Sequence, residues 1–216
     1  MPLEITTVVS APYQENTYLV RRAGERDGIV IDPGFEPERL IQKIKSLDFN
    51  PVAILLTHGH VDHIAGNTAL REFWPNLPIL IGAGDAPMLT NPQLNLSAWG
   101  GMAIVSPPAT QLLHEGDVVA FAGMTFDVRD IPGHSPGHIV YLAAGTQPLE
   151  VFGGDVLFQG SVGRTDFPGG NGRQLAAGIH AKLFTLPDDT RVHPGHGPST
   201  TTGIEKTSNP FVGLRR

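Results

Sequence analysis

Three histidines and a carboxylate occupy the stretch Thr57-His58-Gly59-His60-Val61-Asp62-His63, directly after the apolar run Val52-Ala53-Ile54-Leu55-Leu56. Neutral imidazole is the commonest metal ligand in proteins, and so dense a set of donors is hard to account for as packing or as a loop of solvated side chains. An extended segment sends alternate side chains to the same side. His58 and His60 therefore face together across the small Gly59, the geometry for two imidazoles on one ion. Asp62 and His63 come where the chain turns toward a helix, and they can serve a neighbouring ion.

Three later stretches repeat the design: a polar donor at the end of an apolar run, wrapped in glycine and proline. They are Ile131-Pro132-Gly133-His134-Ser135-Pro136-Gly137-His138, Gly153-Gly154-Asp155 and Val192-His193-Pro194-Gly195-His196-Gly197. Glycine lets the backbone approach closely, which suits loops that aim a side chain into a shared centre. Any one of these stretches also reads as a turn with a capping aspartate or a hydrogen-bonded histidine. Four loops of matching design do not.

The elements that must deliver these loops are strands with helices between them. Short β-branched or aromatic runs at 5–9, 17–20 and 29–31 predict a strand meander, the third ending in the turn Asp32-Pro33-Gly34. Residues 37–47 carry Leu40, Ile41, Ile44 and Leu47 at helical spacing, with Pro37 acceptable in a first turn. A buried strand at 52–56, the histidine-rich loop and a helix at 64–73 stopped by Pro75 follow. After a strand at 79–81 and a short helix at 86–89, residues 91–109 are rich in Pro, Gly, Asn and Ser and read as a long surface loop or lid. Its Leu94, Leu96, Trp99 and Met102 read first as packing beneath that loop, and second as the lining of a substrate entrance. Further strands at 111–113, 117–121, 125–129, 139–142 and 149–152, a helix at 175–184 and a last strand at 191–193 precede C-terminal turn residues. This α/β order predicts two sheets flanked by helices.

Composition narrows the partners. A chain of 216 residues fits one domain with a substantial core, and 26 glycines with 19 prolines point to many tight turns. The net charge is −6 and no cluster of Lys and Arg occurs, so the electrostatic footprint of a nucleic-acid or anionic-membrane binder is missing. There are no cysteines, which removes disulfides, thiolate nucleophiles and sulfur ligands together. The N-terminal residues lack a secretory pattern, and no run approaches the ~20 apolar residues that span a bilayer. The expectation is a soluble cytoplasmic enzyme acting on a small molecule.

Asp32-Pro33-Gly34, the His-x-His-x-Asp-His cluster, Pro132 to His138, Gly154-Asp155 and Pro194-Gly195-His196-Gly197 together resemble the metallo-β-lactamase superfamily, and within it the glyoxalase II-like hydrolases. The resemblance runs through essentially the whole chain. It implies one domain over 1–216 with a four-layer αββα sandwich, the donor loops gathered at one edge of the two sheets. It implies that His58, His60 and His134 hold one divalent ion, that Asp62, His63 and His196 hold a second, and that Asp155 bridges them. Zinc is the expected metal, with iron or manganese as the alternatives that a His/Asp set also accepts. Asp62 is implied both as ligand and as the catalytic group that orients the attacking water or takes its proton. Asp32 is implied to steady the first cluster and His193 to stand behind the ligands, while His138 reads as buried support and His114 and His180 as bystanders.

Metal-lowered water pKa values of about 7 provide a nucleophile without serine or cysteine. In glyoxalase II-like enzymes a basic residue at the position of Arg164 contacts the glutathione portion of a thioester, so Arg164 is the expected substrate-binding residue. Where larger members place aromatic residues near the thioester, this chain has Asp166 and Pro198, and only residues 197–216 follow His196, so their C-terminal glutathione-binding helical domain is not expected. The similarity is to the short single-domain bacterial branch, which shares Gly163-Arg164-Thr165-Asp166-Phe167-Pro168-Gly169-Gly170, Glu205 and Asn209-Pro210-Phe211. It implies hydrolysis of a 2-hydroxyacylglutathione such as S-lactoylglutathione. The alternatives are a persulfide dioxygenase, which in similar superfamily members uses one iron on two His and one Asp, and hydrolysis of another ester or lactone.

Overall fold

The computed structural model describes residues 2–214. Alternation along each strand explains the layering. Strands β1 (Leu3–Ser10), β2 (Glu15–Arg22), β3 (Asp27–Ile31), β4 (Asn50–Leu55), β5 (Ile79–Gly82) and β6 (Gln111–Leu113) form one sheet in that order, antiparallel up to β3 and parallel from β3 to β6. Strands β7 (Val118–Phe121), β8 (Met124–Asp130), β9 (Ile139–Ala143), β10 (Glu150–Gly154), β13 (Arg191–Pro194) and β14 (Thr200–Thr201) form the other. A small hairpin, β11 (Leu157–Phe158) with β12 (Ser161–Val162), follows β10.

Tyr18, Val20, Ile29, Ile31 and Leu55 of the first sheet meet Phe126, Val128, Tyr141 and Phe152 of the second in one buried cluster between the sheets. Their neighbours Leu19, Val30, Ile54 and Leu56 point the other way, onto Leu40, Ile41 and Ile44 of α1 (Pro37–Ser46) and Leu70 of α3 (Asn67–Phe73). Likewise Val140, Leu142 and Val151 leave the second sheet to meet Leu175 of α5 (Gly172–Gly178) and Ile179 and Leu183 of the π-helical turn Ile179–Leu183. Three apolar interfaces make four layers, αββα. Strands buried on both faces read as unbroken apolar runs, which is why 52–56 lacks alternation.

Two helices differ from the sequence reading. In place of one helix at 64–73, α2 (Val61–Ile64) begins immediately after the histidine pair and α3 starts only at Asn67. Gly66 between them donates its N–H to Pro33 O at 2.8 Å, tying the break to the Asp32 turn. The C-terminal residues are not turns alone, because β14 and α6 (Thr202–Ser208) lie there. Helix α6 buries only Thr202 and Glu205, so it carries no apolar periodicity for a sequence to display.

Residues 91–109 are pinned rather than loose. The buried Asn95 side chain donates to Met88 O and Ile104 O at 3.1 and 3.0 Å, and the Asn95 backbone carbonyl accepts the Val61 N–H at 2.9 Å, so this loop caps the first turn of α2. The short helix α4 (Ala86–Leu89) leads into it.

Candidate metal centre

Each donor sits just beyond a strand end at one edge of the sandwich. His58 and His60 leave β4, with Asp62 and His63 in the first turn of α2; His134 lies in the β8–β9 loop; Asp155 directly follows β10; and His196 follows β13. Cross-sheet bonds lock this edge. Ile139 N–H donates to Thr57 O at 2.9 Å, Asn16 N–H to Gly195 O at 2.7 Å, and the Asn16 side chain to Pro194 O and Gly197 O. Asn16 lies far from the histidine motifs in sequence, and nothing about its own neighbours announces this role.

The structure brings together all seven residues expected to hold metal. One donor atom from each of His58, His60 and His134 lies within 4.8 Å of the others, and the same holds for Asp62, His63 and His196. Asp155 stands between the groups, with one carboxylate oxygen 3.5 Å from His63 Nε2 and the other 3.5 Å from both His134 Nε2 and His196 Nε2. Asp62 Oδ2 is 3.3 Å from His196 Nε2. Gly195 permits this closeness: a Cβ there would fall 2.2 Å from Asp155 Oδ1 and 2.5 Å from His63 Cε1.

The donor set fits a metal. His58 Nε2, His63 Nε2 and Asp155 Oδ1 are buried without hydrogen-bond partners, a costly state for polar atoms unless an ion satisfies them. His60 Nδ1 and His134 Nε2 approach to 2.9 Å. In His58, His63, His134 and His196 the other ring nitrogen is braced from behind, which fixes which nitrogen each of these rings presents. Thr57 Oγ1 lies 3.1 Å from His58 Nδ1, Asp32 Oδ2 3.0 Å from His63 Nδ1, Arg164 O 2.8 Å from His134 Nδ1 and Tyr13 O 3.1 Å from His196 Nδ1. Asp32 also accepts from Thr57 N and Oγ1 at 2.8 and 2.6 Å, so it grips both ends of the histidine stretch.

His193 is different. Its nitrogens face Glu150 Oε2 at 2.7 Å and Ser199 Oγ at 3.0 Å, and its ring stacks on Phe152. It therefore braces β10 against β13 and does not back the ligands as the sequence reading expected. His138 accepts the Asp155 N–H on Nε2 at 3.0 Å and stacks on His58, so it supports Asp155 from behind.

A family model described as the metallo-beta-lactamase superfamily matches residues 11–196. The chain belongs to that superfamily. It is 38% identical to the Haemophilus influenzae protein named hydroxyacylglutathione hydrolase GloC, over 98% of this chain and 98% of that one. Among solved structures, BLEG-1 B3 metallo-beta-lactamase matches with TM-score 0.92 at 38% identity, covering 97% of this chain and 99% of that chain. TTHA1623, solved in a di-iron-bound form, matches with TM-score 0.83 at 42% identity, covering 95% and 99%. The protein is a metallo-β-lactamase-superfamily hydrolase with a His/Asp metal site. No helix among the described residues is long and apolar enough to cross a membrane.

The two halves of this superfamily centre differ in charge. Burial and the surrounding imidazoles hold His58 well below its ordinary value, and burial with His134 lowers His60 to about 3. Burial opposes protonation of His63 too, but Asp155, Asp62 and Asp32 outweigh it and raise the ring to about 10. His196 rises to about 11 for the same reason, through Asp155 and Asp62. Without metal, His63 and His196 carry protons that an ion must displace.

Zinc affinity of the Asp62/His63/His196 group is therefore expected to climb with pH from 6 to 9 with measurable proton release, as chelator competition in weak buffer would show. Both rings lie above their unfolded value of about 6.5. Their stabilisation of the metal-free fold is full below about 6.5 and is lost as pH rises through about 10 and 11, so the metal-free melting temperature should fall across that window. A flat affinity profile would contradict the protonated assignment.

A cavity of about 610 Å³ opens onto His60, Asp62, His134, Asp155 and His196. Leu96 and Trp99 line it, which corrects their first reading as packing beneath the loop; Leu94 is exposed. Phe167 meets Trp99 edge-on at 6.0 Å and His60 at 5.7 Å, and Tyr13 and Phe158 complete an aromatic wall. Asp166 and Pro198, which stand where larger members carry aromatic residues, leave that role to Trp99, Phe167, Tyr13 and Phe158, of which the sequence suggested only Trp99, as a second reading. Arg164 lies on the rim with its guanidinium 3.9 Å from the Phe167 centroid, and its Nε and Nη2 donate to Asp166 at 2.7 Å each.

Proposed function

We propose that the protein hydrolyses a 2-hydroxyacylglutathione-type thioester such as S-lactoylglutathione, as a single cytoplasmic domain with two divalent ions. The observation that carries this reading is Asp155, whose two oxygens face both histidine groups at the floor of the cavity. The likeness to the H. influenzae GloC protein supports the substrate class. Bound divalent ions supply a water of lowered pKa and polarise a carbonyl.

Around that chemistry the chain's own groups have separate tasks. His58, His60 and His134 would hold one ion, and Asp62, His63 and His196 the other. Asp62 faces the cavity beside His196, placed to orient the attacking water and accept its proton. Trp99, Leu96 and Phe167 exclude water from the apolar part of the substrate. Arg164 keeps Nη1 outside its fork with Asp166, leaving a donor for a glutathione carboxylate. Zinc suits this donor set; iron is the alternative, and the di-iron form of the TTHA1623 relative supports it.

Metal content of the purified protein together with turnover of S-lactoylglutathione tests the reading. Two metals per chain with thioester cleavage are expected, whereas one iron with oxygen consumption on glutathione persulfide would replace it by the dioxygenase. Arg164→Ala should raise KM about tenfold, the effect of one partly solvated charge-assisted bond, with kcat unchanged. A β-lactam is the second substrate class, favoured by the likeness to BLEG-1. Cleavage of a chromogenic cephalosporin without thioester turnover would select it.

A further inference from the structure

Asp85 ends the turn between β5 and α4 and is fully buried, with none of its surface exposed. Oδ2 accepts from Gly59 N at 3.1 Å and from Ser135 Oγ at 2.5 Å, and Oδ1 accepts from Gly137 N at 2.6 Å. Gly59 lies between His58 and His60, Ser135 follows His134, and Gly137 precedes His138. Every donor on this carboxylate thus belongs to one of the two loops that meet where His60 Nδ1 and His134 Nε2 stand 2.9 Å apart. The fit is close, since a Cβ on Gly137 would lie 2.2 Å from Asp85 N.

We infer that Asp85 is a positioning residue for the His58/His60/His134 group, clamping the two loops at the separation a shared ion requires. The second group is held by other means: Asp32 backs His63, and Tyr13 O backs His196. The clamp is therefore selective. Asparagine at this position keeps the volume but turns an amide NH2 toward N–H or O–H donors, so one loop must shift. Outer partners that orient ligands are worth about 10- to 100-fold in metal affinity, and Asp85→Asn should weaken zinc binding at one site by that factor.

This inference rests on the two-ion reading, so the test separates the two. Metal-stripped full-length protein is titrated with zinc ion against a chromophoric chelator. Fewer than two tight sites in the unaltered protein would overturn the two-ion reading itself. Given two sites, Asp85→Asn is measured with His196→Ala, which leaves the first group intact, and with His134→Ala, which leaves the second. A 10- to 100-fold loss in the first background and none in the second is the expected result. Equal losses in both, or unchanged affinity with only a lower melting temperature, would sink the assignment. If Asp85→Asn does not fold, Ser135→Ala removes one donor and is read by the same criteria.

Discussion

An Asp155→Ala variant is expected to lose at least about a thousandfold in kcat/KM on the thioester, ~4 kcal/mol of transition-state stabilisation. Among the described residues no other carboxylate has oxygens within 3.5 Å of histidine nitrogens of both groups. On the two-ion reading proposed above, its removal takes away the anion both groups would share and the charge that would offset the ions. Zinc stoichiometry should fall below two. Asp155→Asn tests charge against shape, because the amide fills the same space and leaves the residue-155 backbone N–H donating to His138 Nε2. Near-normal stoichiometry and turnover in the asparagine variant would show that the negative charge is dispensable and that the bridging role is wrong.

The second large effect is expected at Asp32, and it concerns the fold as much as the site. Its carboxylate serves Thr57 N, Thr57 Oγ1 and His63 Nδ1, all buried, and its own backbone sits at φ +49°. Alanine would leave a buried N–H and a buried ring nitrogen unsatisfied and would place a Cβ residue in the left-handed region without aspartate's local hydrogen bonding. Breaking a buried charged pair by removing one partner costs about 3–5 kcal/mol. Urea denaturation of the metal-free protein should show that loss, and zinc affinity should fall with it. Asp32→Asn tolerates the left-handed backbone and keeps an acceptor for Thr57 N, so it should recover part of the stability while misorienting His63. A fully stable alanine variant would mean that Asp32 is only a turn residue before Pro33.

Much of this was legible in the chain, for local reasons. The order of strands and helices follows from spacing within short windows, but which residues of β2, β3 and β4 face the other sheet and which face the helices does not, because these runs are apolar on both faces. Where spacing carried no apolar signal, the reading missed, as at α6, which is anchored by Glu205 through Thr200, Asn209 and Gly160 N–H rather than by a greasy face. The break between α2 and α3 was likewise illegible, since it depends on Pro33 arriving from another part of the sheet.

The same division holds at the centre. His58, His60, Asp62, His63, His134, Asp155 and His196 are visible as donors because ligand chemistry belongs to the residue type and to spacing along the chain. Asp85, Asn16 and the Trp99–Phe167 wall are not, because their partners lie in other strands and loops. Tertiary structure alone decided that Arg164 is forked by Asp166 and that His193 turns to Glu150. Those outcomes depend on which strand ends the sheet pairing brings together and on which polar atoms burial leaves to find partners there.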